Sequence, residues 1–272
     1  MILITGATGN VGRHLVTELL TAGRKVRALS RDPASARLPS GAEVVRADDA
    51  PMDDVEAVFF NPATSSNGPG ELLAKAKARG VRRVVMLSAM ACLDEDPANL
   101  ISRHHLEAER EIEASGLEWT FLRPGAFAAN TLDWAGQIRE SGVVRGPYAR
   151  AHMTPMHERD IAAAAARAFL SDDLVGTKPV LSGPESLTHA DQARIIGEAI
   201  GRPVGYEEVT PEAAREAMVG NGMPGPFADT VLRMYASAED TPAEVYPEFE
   251  RITGRRARTF AEWAAEHASD FS

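Results

Sequence analysis

The sequence predicts an α/β fold, a doubly wound parallel sheet with a smaller, mostly helical C-terminal lobe. Three observations predict it. First, an apolar run, a glycine-rich turn and an amphipathic stretch follow one another in "MILITGATGNVGRHLVTELL". Second, strand-like and helix-like runs alternate as far as about residue 123. Third, from about residue 145 the chain becomes mixed, with proline breaks at 147, 155, 179, 184, 203 and 211. Such alternation builds parallel sheets, because each strand returns through a crossover helix. The expected division is a dinucleotide-type domain over 1–145 and a lobe over 146–272, with the sheet open to completion by later segments.

The elements follow in order. Ile2-Leu3-Ile4 is a buried-strand signal, and Val11, Leu15, Val16, Leu19 and Leu20 then recur at helical spacing. Gly23 ends that helix as a C-terminal cap. Between strand and helix, Gly6 permits a tight turn, Gly9 lets the backbone approach a pyrophosphate, and Gly12 lets the helix sit close on the strand. Free N–H groups at the helix start would hold the anion. This context turns a common glycine triplet into a specific Rossmann-type signal for a dinucleotide. The second strand, "KVRALS", ends on Ser30 followed by Arg31. An NAD site wants an acid there, whereas arginine suits a 2′-phosphate, so the sequence favours NADP(H) over NAD(H). Further strands are expected at 43–46, 56–60, 82–87 and 118–123, and helices at 70–79 and 99–114. Only "ADDAPMDD" separates the third and fourth strands, so that crossover is expected to shrink to a turn. In the lobe, "THADQARIIGEAIG" reads as a helix capped by Thr188 and closed by Gly201. Asp160 is expected to cap "IAAAAARAFL", and three more short helices are expected before the end of the chain.

Composition bounds the function. The 272 residues are 44% hydrophobic and 25% charged, as in an ordinary globular protein. A net charge of −10 argues against nucleic acid as the main partner. No apolar run reaches the ~18 residues of a membrane helix. The first strand begins at Ile2, which leaves no room for a secretory n-region. The one cysteine, Cys92, can form no internal disulfide, and this points to a reducing, cytoplasmic setting.

"TGATGNVG", "SRDP", "RRVVMLSA", "RHHLEAEREIEASGLEWTFLRPGAFAAN" and "GPESLTHADQARIIGEAIGRPV" together resemble the atypical short-chain dehydrogenase/reductases, in the NmrA-like and NAD(P)H-quinone-oxidoreductase-like group. The resemblance runs on to "ERITGRRARTFAEWAAEHA". It implies that Gly6, Thr8, Gly9, Asn10, Val11 and Gly12 line the pyrophosphate and that Ser30 and Arg31 face the adenosine ribose. Asp48 would neighbour the adenine, although the short stretch at 47–55 departs from the family pattern. Asn61 and Pro62 would flank the cofactor, Ser88 would take the position of a catalytic serine, and Pro124, Gly125 and Phe127 would lie beside the nicotinamide. The group contains quinone and enone reductases, tailoring enzymes and non-enzymatic NADP sensors.

Typical relatives use Tyr-x-x-x-Lys on the helix after the fifth strand as proton donor and ribose holder. Here those slots hold Ile101 and His105, and no lysine lies between 78 and 177. The tyrosine mechanism is excluded. His105 could bond a ribose hydroxyl or donate a proton, with Glu109 one turn on to hold its tautomer. His152 and His157, near Asp160, are not expected to form a metal site. Trp134, Met153, Met156 and Tyr235 are candidates for an aromatic substrate pocket. Quinones and enones give stabilised anions on accepting hydride, so they tolerate the missing acid better than simple ketones do. The expected function is an NADPH-dependent reductase of an aromatic or conjugated small molecule, with Ser88 polarising the acceptor. A non-catalytic NADP(H) sensor and a redox-neutral cyclase or isomerase stay open as alternatives.

Overall fold

The structure is a computed structural model and describes residues 1–65, 68–94 and 96–272. A seven-stranded parallel sheet is formed by β1 (Ile2–Ile4), β2 (Val26–Ser30), β3 (Ala42–Arg46), β4 (Ala57–Phe60), β5 (Arg83–Leu87), β6 (Glu118–Pro124) and a short β9 (Val180–Leu181). Its order is β3-β2-β1-β4-β5-β6-β9. The winding reverses between β1 and β4, and ligands of open α/β sheets bind in the crevice at such a switch point.

Side-chain alternation sorts the strands onto two faces. Ile2, Ile4, Phe59, Val85 and Leu122 point to one face, where they meet α1 (Gly12–Thr21) and α5 (Glu158–Leu170). Leu3, Val58, Val84, Met86 and Phe121 point to the other. There they meet α2 (Gly70–Ala78) and α3 (Leu100–Ala114). The run Ala162–Ala166 is buried, and its small side chains let α5 lie close along α1. The third crossover is a turn, as expected: Ala47 to Glu56 carry no helix.

Residues on both sides of position 145 contribute to each layer. β9 and α5 join the sheet layer. A second apolar cluster gathers Ile138 of α4 (Ala135–Ser141) and Val144 of β7 (Val143–Gly146). Ile196 of α6 (His189–Ala199), Phe260 and Trp263 of α10 (Phe260–Glu266) and Phe271 of α11 (Ala268–Phe271) complete it. β8 (His152–Met153) pairs antiparallel with β10 (Leu187–Thr188), and β11 (Gly205–Glu208) pairs parallel with β7. Three further helices, α7 (Pro211–Gly220), α8 (Gly225–Ser237) and α9 (Glu248–Thr253), complete the chain. Thr188 caps α6 through a reciprocal capping box with Asp191. The cap of α5 differs from expectation. His157 Nδ1 accepts the Arg159 N–H, while the Asp160 carboxylate pairs with Arg258, far along the chain. No helix among the described residues is long and apolar enough to cross a membrane.

Candidate active site

The glycine loop fixes the site. Gly6 takes a left-handed φ of 64°, and its carbonyl accepts the Gly9 N–H at 3.0 Å. A Cβ on Gly12 would lie 2.1 Å from the Gly6 oxygen and 2.8 Å from Ala7 Cα, so only glycine lets the loop fold onto the helix start. Neither a side-chain cap nor an acid occupies the first turn of α1. Its positive end is therefore left for an anion. Arg13, which the sequence reading did not single out, reaches back to the Thr8 carbonyl at 2.8 Å and braces the loop.

The loop opens on a cleft of about 520 Å³ at the switch point, within the range of small-molecule sites. Seven of the expected residues line it: Gly6, Thr8, Gly9, Ser30, Arg31, Asp48 and Asn61. The Ser30 side chain is buried and accepts the Asp32 N–H. Arg31 is exposed and makes no ion pair among the described residues. The neighbouring Asp32 carboxylate is turned onto the Ala34 N–H and does not neutralise it. Asp48 pairs with Arg46 at 3.1 Å. The Asn61 N–H donates to Thr5 Oγ1 at 2.8 Å, joining the ends of β4 and β1, and its side-chain Oδ1 accepts the Ala63 N–H. Glu71 and Lys75, an ion pair along α2, also line the cleft. The sequence reading did not single them out, and both stay exposed at the rim of the cleft. These donors, the tight cradle at Gly12 and the free cation at Arg31 suit a dinucleotide.

Other expected residues stand away from the cleft surface. Val11 is buried in the core and can offer only its backbone. Gly12 acts by close packing, Pro62 is buried behind the wall, and Asn10 faces solvent.

Ser88 follows β5, at the same carboxyl edge of the parallel sheet, and is already engaged. Its hydroxyl donates to Glu109 Oε1 at 2.5 Å, so the proton it would lend an acceptor is already committed. Glu109, only 1% exposed, also takes two bonds from Arg123 (3.0 and 2.6 Å). Burial alone would raise its pKa, but the Arg123 and Ser88 bonds and the charges of Arg123 and Lys178 outweigh it and hold the carboxyl below its ordinary value. Glu109 therefore does not orient His105.

The tautomer of His105 is set instead by the Ile101 carbonyl, 2.9 Å from Nδ1. A carbonyl can only accept, so Nδ1 carries the proton and Nε2 presents a lone pair. Burial pushes the imidazole below its ordinary pKa, partly opposed by the Ile101 carbonyl. At neutral pH the ring can accept a hydrogen bond at Nε2 and has no proton there to give.

Pro124 is buried, and Gly125 and Phe127 are half-buried. Phe127 is bridged to Met156, which lies in the core and not in a pocket wall. Trp134 and Tyr235 do come together, edge-on around the buried His189, at 6.1 and 4.6 Å between ring centres.

Comparison with known proteins agrees with this geometry. A family profile described as NAD(P)H-binding matches residues 6–172. A (4-alkanoyl-5-oxo-2,5-dihydrofuran-3-yl)methyl phosphate reductase from Streptomyces griseus is 39% identical, covering 100% of this chain and 99% of its own. An NAD(P)H azoreductase from Xenophilus azovorans is 35% identical, with the same coverage of 100% and 99%. Among solved structures, an NADPH-dependent quinone oxidoreductase from Escherichia coli complexed with NADPH superposes with a TM-score of 0.81 at 25% identity. That match covers 98% of this chain and 99% of the other. With its switch-point cleft and glycine cradle, the chain belongs to the NAD(P)H-binding, NmrA-like family of atypical short-chain dehydrogenase/reductases and is an NAD(P)H-dependent oxidoreductase.

Proposed function

We propose that the protein uses NADPH to reduce quinone-like or enone-like small molecules. The observation that carries this reading is a dinucleotide cleft on a chain that has no tyrosine–lysine acid: Ile101 and His105 stand in those slots. When bound, the reduced dinucleotide supplies a hydrogen with its electron pair. The glycine loop and the start of α1 hold the pyrophosphate, Arg31 pairs with the 2′-phosphate, and His105 Nε2 accepts from a ribose hydroxyl. Ser88, Glu109 and Arg123 fix β5, β6 and α3 as one wall. With no strong acid beside it, the acceptor must stabilise its own negative charge, and conjugated carbonyls do so. The relatives support this class. The name of the Streptomyces griseus enzyme's substrate describes an oxo-dihydrofuran bearing an alkanoyl group, and the other two act on azo compounds and quinones.

Fluorescence titration should show NADPH binding more tightly than NADH. Arg31→Ala should weaken NADPH by about 1–3 kcal/mol through loss of a charged hydrogen bond and leave NADH nearly unchanged. His105→Ala should weaken both cofactors alike. Equal wild-type affinities for NADPH and NADH would remove the case for the 2′-phosphate.

The reaction is tested by following NADPH absorbance with quinones, conjugated enones, an alkanoyl butenolide phosphate and simple ketones. Turnover is expected with the first three and little with the last. Tight NADPH binding without oxidation by any acceptor would move the protein to the sensor or redox-neutral reading.

A further inference from the structure

The cleft holds an apolar slot beside its adenosine end. Leu29 near the end of β2, Ala47 and Ala50 after β3, and Leu72 of α2 all line the cleft. The same four side chains pack into one apolar cluster, so they form a continuous surface. Ser30, Arg31 and Asp48, the residues that family resemblance gives to the adenosine, line the cleft next to them in the chain. A purine ring suits such a slot, because its faces are apolar and its polar atoms lie at the edge.

Two charged side chains flank Leu72 on its helix. Glu71 precedes it, Lys75 follows one turn on, and both line the cleft. Lys75 Nζ lies 2.9 Å from Glu71 Oε1, an i,i+4 pair that puts both on one stripe of α2. Helical side chains lean toward the N-terminus of their helix. For α2, which follows β4, that is the end at the carboxyl edge of the sheet, where the cleft opens. Both residues are exposed, and an exposed pair of this kind holds its partners weakly, so each can turn to a ligand. The bond to Lys75, with its charge, keeps the Glu71 carboxyl below its ordinary pKa, which makes it an ionised acceptor.

We infer that Glu71 and Lys75 read the edge of the purine base in this slot and select adenine. The inference rests on the NADPH reading above. Adenine carries a donor, its 6-amino group, between two ring-nitrogen acceptors. A carboxylate that accepts, held beside an ammonium that donates, complements that edge. Hypoxanthine carries an oxygen at position 6 instead. That oxygen would face the Glu71 carboxylate, acceptor against acceptor, and the helix fixes the order of the two side chains. Arg31, which follows β2, keeps the 2′-phosphate. The pair on α2 therefore sets which base is bound, separately from the phosphate.

The test titrates NADPH and its hypoxanthine analogue, deamino-NADPH, by fluorescence against wild type, Glu71→Gln, Lys75→Met and Asp48→Asn. Wild type should bind NADPH about tenfold more tightly than the analogue, the scale of one hydrogen bond. A glutamine amide accepts from the amino group and also donates to the oxygen. Glu71→Gln should therefore bind NADPH about two- to threefold more weakly, a neutral acceptor replacing a charged one, and bind the analogue more tightly. The ratio should fall close to one. Lys75→Met should weaken NADPH about threefold through loss of one donor. A wild-type ratio near one would overturn the inference. So would a ratio unchanged in Glu71→Gln, the mark of a pair that only supports α2, or a ratio lost in Asp48→Asn alone. Equal affinities for NADPH and NADH would overturn the 2′-phosphate reading and leave the base ratio to decide on Glu71 and Lys75. Selective binding of NADPH over the analogue with no acceptor reduced would overturn the reductase reading alone, and a protein that bound neither dinucleotide would overturn both.

Discussion

Replacing Glu109 with alanine should destabilise the protein by about 3–5 kcal/mol, the usual cost of removing one partner of a buried ion pair. Arg123 would be left 9% exposed with its bidentate partner gone, and the Ser88 hydroxyl would lose its acceptor. The pair joins α3 to β6, and Ser88 adds the end of β5, so three elements loosen together. Urea denaturation of wild type and variant would measure it, read as a lower midpoint at unchanged slope. The pH dependence has a definite sign. The folded carboxyl is held below its unfolded value of 4.5, so its contribution is fully present above that pH and is lost as the pH falls through the lower folded value. The wild type should therefore lose more stability than Glu109→Gln on acidification below about pH 4.5. A variant within 1 kcal/mol of wild type at neutral pH would show that the wall does not depend on this pair.

Gly12→Val should abolish cofactor binding, weakening NADPH at least 100-fold, or about 3 kcal/mol. The overlap it introduces is with backbone: the Gly6 carbonyl at 2.1 Å and Ala7 Cα at 2.8 Å cannot swing away as a side chain would. Either the loop lifts from the helix or α1 retreats from the sheet, and both remove the N–H groups from the anion's position. Overpacking of this kind also costs roughly 1–3 kcal/mol in stability. Gly23→Ala is the control. Gly23 has a positive φ, 73°, but nothing lies within 4 Å of its Cβ position and it sits past the far end of α1. It should lose some stability and bind NADPH normally. Fluorescence titration of both variants decides the matter, and near-wild-type affinity in Gly12→Val would refute the cradle.

The sequence by itself determined what local spacing can carry. The period of apolar residues placed β1 and α1, the glycine triplet placed the tight turn between them, and Ser30 and Arg31, at the end of the second strand, line the cleft. Thr188 with Asp191 announced the start of α6, and eight polar or proline-broken residues announced the missing crossover. Each of these signals lies within one or two turns of chain, where covalent geometry fixes which side chains are neighbours.

What a side chain does once its distant neighbours arrive was decided only by the tertiary structure. Ser88 is silenced by Glu109, 21 residues away, and Glu109 is drawn from His105 to Arg123, 14 residues on. Asp160 is taken by Arg258, 98 residues away, which leaves the cap of α5 to His157. The tautomer of His105, by contrast, is set locally, by a carbonyl one turn back. A hydroxyl or imidazole has several possible partners of similar strength, and residue type cannot rank them. Burial makes one partner compulsory, because an unpaired polar group inside the fold costs more than any local preference can recover.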